Sequence, residues 1–196
     1  MFERFQGAFG PRRDALEVGA AWTHPRLSSV AGYEAFAQDF AGASFGGGLY
    51  RVHDSVTGPR AFTFVSDAFP EFTQRSCPFG YDWLGRQFAV DSERVDKGQP
   101  QVLLLEPGTG EALEIPVDFA AFHDEELVDQ SDAALASGLF GAWSKANPDT
   151  QPLLRSQCVG YKIPLFLGGA DAIENLEVSD IEVYWTVFGQ LRRQAT

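Results

Sequence analysis

A predicted tight turn in the middle of the chain, set between two apolar segments, limits the possible folds most strongly. Residues 101–106 and 112–115 flank the sequence Pro107-Gly108-Thr109-Gly110. The two glycines supply the positive φ angles that a tight turn needs, so the pattern predicts a β-hairpin.

Two further strand pairs precede this hairpin. Residues 79–83 and 86–91 are joined by Leu84-Gly85, and residues 49–53 and 61–65 are joined by turn-forming residues at 55–59. Three successive hairpins predict an antiparallel meander.

Helical periodicity predicts the elements around this sheet. Residues 33–40 carry an apolar helical face that ends at Ala41-Gly42, and residues 119–143 predict two amphipathic helices that end near Asn147-Pro148. The first 20 residues predict a short helix, a kink at Gly10-Pro11 and a second turn.

The last helix has the clearest start signal. Ser179-Asp180-Ile181-Glu182 matches a capping box in which Ser179 caps the helix. Its predicted buried stripe consists of Ile181, Tyr184, Trp185, Phe188 and Leu191. The chain is therefore predicted to be a single α+β domain over 1–196, with an antiparallel sheet of successive hairpins at about 1–115. Flanking helices lie at the N-terminus, in the middle and at the C-terminus, and about 116–196 is the helical portion.

Composition excludes several classes of function. The 17 Phe, 4 Trp and 5 Tyr can fill a core, so we expect stability without a cofactor. The net charge of -12 argues against direct nucleic-acid binding and favours a basic protein partner. The apolar runs are too short to span a membrane, and the first residues do not resemble a signal peptide. We therefore expect a cytoplasmic protein in which Cys77 and Cys158 are reduced thiols.

The candidate catalytic and ligand-binding motifs are weak. The glycine-rich segment 42–48 follows a helix and precedes a strand, the reverse of the order in a phosphate-binding loop, so it predicts a sharp corner. The histidines at 24, 53 and 123 lie in unrelated segments, which disfavours a metal site. A cysteine-histidine pair stays open as an alternative, because such groups meet in space and not in sequence.

Charge patterning is more informative. Nine acidic residues and no Lys or Arg lie between Gly98 and Ser144, and a second acidic stretch covers residues 171–182. The simple interpretation is a solvated face, and the functional one is a surface that attracts a basic partner. The residues predicted to contact a partner are Asp124, Glu125, Glu126, Asp129, Gly168, Gly169, Asp171 and Glu174.

Several strings resemble one group of bacterial proteins. These are segments 45–51, 81–87, 106–111 and 158–169, followed by Asn175-Leu176-Glu177 and Tyr184-Trp185. Together they resemble the immunity proteins of type VI secretion DNase toxins. That group has a GAD-like N-terminal half and an uncharacterised C-terminal domain, and is itself similar to the SUKH immunity superfamily. The first 30 residues match no pattern in that group.

The resemblance implies an α+β fold and function by binding. The implied partner is a cognate toxin, expected to be a basic nuclease, and no catalytic residue, metal or cofactor is implied. Two alternatives remain: a small enzyme with a cysteine-histidine or carboxylate site between the sheet and the last helix, and a SUKH-type adaptor for another protein. The roles of Gly168, Gly169 and Asn175, structural or functional, are left open.

Overall fold

A computed structural model describes residues 1–10 and 19–195 of the chain. The strands are β1 (Ser44–Phe45), β2 (Tyr50–Val52), β3 (Ser76–Asp82), β4 (Gln87–Asp96), β5 (Gln99–Glu106), β6 (Glu111–Asp118), β7 (Gln157–Tyr161) and β8 (Leu176–Asp180). The α-helices are α1 (Glu3–Phe9), α2 (Pro25–Ser28), α3 (Tyr33–Phe40), α4 (Thr57–Ala68), α5 (Phe119–Ala121), α6 (Leu127–Asp129), α7 (Ser131–Leu135), α8 (Ser137–Ala146) and α9 (Ile181–Ala195). A π-helical turn at Phe122–Glu126 joins α5 to α6, and short 3₁₀ turns lie at Pro70–Phe72, Pro148–Thr150, Leu165–Leu167 and Ile173–Asn175.

The main sheet has six strands in the order β1-β2-β3-β4-β5-β6, and every neighbouring pair is antiparallel. The predicted α+β meander is therefore confirmed, as are the hairpins β3-β4 and β5-β6. Strands β7 and β8 form a separate antiparallel pair. The backbone N–H of Val159 in β7 donates to the carbonyl of Trp83, which ties this pair to the main sheet.

Both faces of the main sheet are covered, and strand β5 shows why the sequence there does not alternate. Val102 and Leu104 face a first core, whereas Leu103 and Leu105 face a second one, and all four are buried. The first core is built mainly with α1, α2, α3 and α5–α7, and the second mainly with α4, α8, α9 and β7-β8. A strand buried on both sides needs apolar residues at successive positions.

The prediction of a strand at residues 61–65 is wrong, because these residues lie within α4. Ala61, Phe64, Val65 and Ala68 are buried at helical spacing, and Pro59 lies in the first turn, where a missing N–H costs little. Strand β2 instead pairs with β1 and β3. Helix α4 packs on α9, and Gly189 allows close approach because a Cβ there would lie 2.7 Å from that of Ala68.

Helix α9 is confirmed, but its predicted cap is wrong by one residue. Asp180 Oδ1 accepts hydrogen bonds from the N–H groups of Glu182 and Val183, at 3.0 and 3.1 Å. Ser179 is a residue of β8 and pairs with Cys158. Because the strand continues to Asp180, the cap shifts to that residue, and the predicted stripe is buried except for the half-buried Leu191.

Most of the other local predictions agree with the fold. Helix α3 spans the predicted residues 33–40, α1 corresponds to the first predicted helix, and segment 42–48 forms a corner between α3 and β2. The second turn predicted after Gly10 falls on 11–18, outside the described residues. The predicted division at about residue 115 stays a prediction, although each core contains residues from both sides of it. Within the described residues, no helix is long and apolar enough to span a bilayer.

Candidate functional site

The predicted acidic segment 124–129 lies on the π-helical turn and α6, and two of its four acids are engaged within the chain. Asp124 Oδ1 accepts a hydrogen bond from the Phe5 backbone N–H at 3.0 Å, in the first turn of α1. Asp129 forms a 2.7 Å ion pair with Arg4, and both side chains are about half exposed. These contacts attach α1 to the segment.

The other two acids of this segment differ in exposure. Glu125 is exposed and Glu126 is half-buried. The carboxylate of neither residue makes a hydrogen bond or ion pair with the part of the chain that the structure describes. The charge available to a partner therefore lies mainly on these two residues. Arg94 compensates some of the longer acidic stretch, through an ion pair with Glu114 at 3.3 Å.

The second predicted segment, 168–174, belongs to the loop between β7 and β8, and Asn175 organises it. The Asn175 amide donates to the carbonyls of Ile163 and Ala170, each at 2.9 Å, and its oxygen accepts from the Ile163 N–H at 3.0 Å. Gly168 has a φ of 87°, and a Cβ on Gly169 would lie 2.0 Å from the Ile163 carbonyl oxygen. Asn175 and both glycines therefore have structural roles in this loop.

The acids of this loop are exposed. Tyr161, itself buried, donates its hydroxyl to Asp171 at 2.7 Å. The backbone carbonyl of Glu174 accepts from the Lys162 ammonium group at 2.7 Å, which leaves the Glu174 carboxylate in solvent.

The two predicted segments do not form one site. Phe122 and Leu127 anchor the acidic segment in the first core, whereas Leu165 and Ile173 pack the loop against the second core. The sheet separates these cores, so the two segments are distinct candidate contact areas.

A cleft of about 430 Å³ lies between the start of α4 and the start of α9, in the general region of the enzyme site considered as an alternative, but its lining residues were not predicted. Its lining includes His53, Asp54, Thr57, Tyr81 and Arg155. The sequence signal that could have located this cleft is Asp54-Ser55-Val56-Thr57 followed by apolar residues at helical spacing. This pattern is typical of the start of a helix.

Asp54 is the centre of the polar network in this cleft. Its Oδ1 accepts from the N–H groups of Val56 and Thr57, and its Oδ2 pairs with Arg155 at 2.7 Å. Burial opposes ionisation of Asp54, but these hydrogen bonds and the Arg155 charge outweigh it and lower the carboxyl pKa. Asp54 therefore caps α4 as a carboxylate and connects it to the segment before β7.

His53 has the environment of a neutral core histidine. Its Nε2 lies 2.8 Å from Gln87 Oε1, its Nδ1 lies 3.1 Å from Thr57 Oγ1, and its ring stacks on Tyr81 at 4.8 Å. Burial is the main cause that lowers its pKa to about 4. A general base needs a pKa near the working pH, and in a catalytic triad the carboxylate orients the histidine. Here both Asp54 and His53 contact Thr57, an arrangement that serves the helix cap.

The thiols do not supply a nucleophilic site either. Cys77 and Cys158 are free and fully buried, one in each core. Burial raises the pKa of Cys77 to about 12, and it also raises the pKa of Cys158. A reactive cysteine needs an accessible thiolate. Among the described residues, no group of three or more His, Cys, Asp or Glu is placed to hold a metal ion.

Comparisons with known proteins concern the fold and the C-terminal part of the chain. The crystal structure of Atu4351 from Agrobacterium tumefaciens is similar over 97% of this chain and 89% of that one, with a TM-score of 0.66 and 15% identity. At this identity the likeness establishes a shared fold. No curated protein matches the chain. Residues 120–192 match the family model of the type VI secretion immunity protein Tdi1, C-terminal. The match covers 73 of the 196 residues and concerns only the C-terminal part of the chain.

Proposed function

We propose that this protein is a cytoplasmic immunity protein that binds a cognate type VI secretion toxin, a nuclease, through acidic surfaces and so neutralises it. The observation that carries the proposal is the family match over residues 120–192. The matched region contains both the acidic segment 124–129 and the loop segment 168–174.

Electrostatics supports a basic partner. A nuclease domain needs positive charge to hold DNA, so a protein of net charge -12 is attracted to the same surface. In the acidic segment, Glu125 and Glu126 offer their charge to solvent, whereas Asp124 and Asp129 also hold α1. Glu125 and Glu126 are therefore proposed to attract the partner, and Asp124 and Asp129 to maintain the surface.

The cleft chemistry is consistent with function by binding. The charge of Asp54 is balanced by Arg155, and at the rim Arg60 pairs with Glu182 at 3.1 Å. The buried thiols and the neutral His53 offer neither an accessible nucleophile nor a base with a suitable pKa.

The function is tested by co-expressing this chain with the toxin encoded beside its gene. We expect the chain to restore growth of cells that make the toxin, and the purified chain to inhibit DNA cleavage at a stoichiometric ratio. If the chain binds the toxin but the toxin degrades another substrate, the nuclease assignment is wrong. Absence of both rescue and binding would contradict the immunity function itself.

Charge steering is tested with the double variant Glu125→Gln/Glu126→Gln. We expect a lower association rate for the toxin and a weaker dependence on salt, with unchanged stability, because neither carboxylate has a hydrogen bond or ion pair among the described residues. The matched control is Glu34→Gln/Asp39→Asn, which removes the same charge from the exposed face of α3. Equal association rates for the two variants would show that the acidic segment is only a solvated face.

A further inference from the structure

The loop between β7 and β8 exposes apolar side chains that the fold leaves uncovered. Ile163 is 54% exposed and Leu167 is 49% exposed. Between them, Leu165 packs on the second core and Phe166 lies against Gly110 in the β5-β6 turn. We name residues 163–167 the apolar loop. Single exposed apolar residues are common, whereas these two lie four positions apart in one short loop.

The apolar loop is held in one conformation by its hydrogen bonds. Asn175 binds both the N–H and the carbonyl of Ile163. The Leu165 N–H donates to the Gly108 carbonyl at 2.9 Å, and the Gly169 N–H donates to the Pro164 carbonyl at 3.0 Å. A loop that is already ordered loses little conformational entropy on association, which favours its use in binding.

The loop between β7 and β8 carries net negative charge, and Arg192, which lies with Phe166 against Gly110, is paired with Glu71 at 2.6 Å. Asp171, Glu174 and Glu177 are exposed, and Lys162 is the one basic residue between 162 and 177. Its ammonium group is held on the Glu174 carbonyl. An apolar centre with a charged rim is the usual layout of a protein interface, and the acidic rim fits a basic partner.

We infer that the apolar loop is the anchor of the toxin interface, with Ile163 and Leu167 inserted into an apolar depression that basic residues of the toxin surround. This inference rests on the proposed function. The inference goes beyond the proposed function because it assigns the binding energy to two apolar side chains, whereas the acidic segment contributes to the association rate. Binding energy concentrates in a few central, well-packed side chains, and rim charges contribute less.

The test measures Kd for the purified, catalytically inactivated toxin encoded beside this gene, with wild type and with Ile163→Ser/Leu167→Ser. We expect the double variant to weaken binding by at least tenfold, mainly through faster dissociation. The control is Val95→Ser, because Val95 is 55% exposed and pairs with Pro100 at the other end of β5. At about 3.3 Å per strand residue, Pro100 lies roughly 25 Å from the β5-β6 turn that contacts the apolar loop. The control should stay within twofold of wild type.

Two single variants test the charge of the partner surface. Leu167→Glu and Leu167→Lys both remove the apolar contact, and their exposed position makes misfolding a minor concern. Opposite a basic surface, the Lys variant should bind several-fold more weakly than the Glu variant at low salt, and added salt should reduce the difference.

The outcomes separate the two proposals. If wild type binds the toxin and the double variant binds equally well, the anchor is elsewhere and the immunity function stands. If the Lys variant binds better than the Glu variant, the opposing surface is not basic and the inference is wrong. If wild type does not bind the toxin, both proposals are overturned.

Discussion

At the scale of single residues, His123 shows how a polar side chain is satisfied inside an aromatic core. The ring is fully buried, with the Phe36 and Phe119 rings at 4.1 and 4.4 Å between centroids. Its Nδ1 lies 2.8 Å from the Phe119 carbonyl and its Nε2 lies 2.9 Å from the Tyr50 hydroxyl. A neutral ring satisfies both, by donating to the carbonyl and accepting from the hydroxyl.

Burial of His123 predicts loss of stability in acid. Burial lowers its pKa to about 3, from an ordinary value of 6.5. Between pH 6.5 and pH 3, His123 therefore binds a proton in the unfolded chain but not in the folded one. The stability present above pH 6.5 is lost as the pH falls toward 3. The contribution is about 1.4 kcal/mol per pH unit for one histidine. His53, whose pKa is lowered to about 4, adds a second contribution in part of this range.

The measurement is the free energy of unfolding in urea at pH 6.5 and pH 5. We expect His123→Gln to be less stable at pH 6.5 but to lose less stability between the two pH values, because it has no proton to gain. Burial raises the pKa of Glu106, which favours the folded state in acid, but this effect is common to both proteins. An identical pH dependence in variant and wild type would contradict the assignment.

At the scale of elements, α9 joins the small sheet to α4 and the main sheet. Trp185 is fully buried and donates its Nε1–H to the Gly85 carbonyl at 2.7 Å, across 100 residues of sequence. The helix begins where β8 ends, so Asp180 has to end a strand and cap a helix at once.

This junction predicts a clear difference between neighbouring variants. Asp180→Ala should lower the free energy of unfolding by about 1 kcal/mol, since two N–H groups of the first turn lose their acceptor. Ser179→Ala should change it by far less, because the Ser179 side chain does not cap the helix. Urea denaturation of both variants measures the difference. A larger loss of stability for Ser179→Ala than for Asp180→Ala would show that Ser179 caps the helix, as the capping box predicts.

At the scale of the whole molecule, the main sheet is shared by two cores, each with one buried thiol. Cys77 lies in the first core and Cys158 in the second. Neither core can open far without uncovering a face of the sheet, so we expect both to unfold in one cooperative transition.

The thiols report on this cooperativity. In native buffer, both should resist a thiol reagent, and the denatured, unreduced protein should show two free thiols. At increasing urea, labelling of Cys77 and Cys158, quantified separately by mass spectrometry of their peptides, should follow the same midpoint. Separate midpoints would mean that the cores unfold independently, and fewer than two thiols would indicate oxidation.

The elements that depend on neighbours in the chain could be predicted from the sequence. The hairpins β3-β4 and β5-β6, the end of α3 at Ala41-Gly42 and the existence of α9 follow from turn residues and local periodicity. These signals act over a few residues, so they do not depend on what packs above or below. The net charge and its concentration in two stretches were likewise legible without a structure.

The choice between competing local patterns, and the pairing of distant side chains, depended on contacts between remote parts of the chain. Residues 61–65 suit a strand or a helix, and packing on α9 selects the helix. Arg4 meets Asp129 across 125 residues, and Arg155 meets Asp54 across 101, so neither the partial neutralisation of the acidic segment nor the cleft could be derived locally. Asn175 belongs to a segment that resembles the immunity proteins, but its role as the clamp of the apolar loop depends on backbone groups 12 residues away. The physical reason is that pairing between distant residues is set by the arrangement of cores around the sheet, whereas turns and helix ends are set by the chain's own geometry.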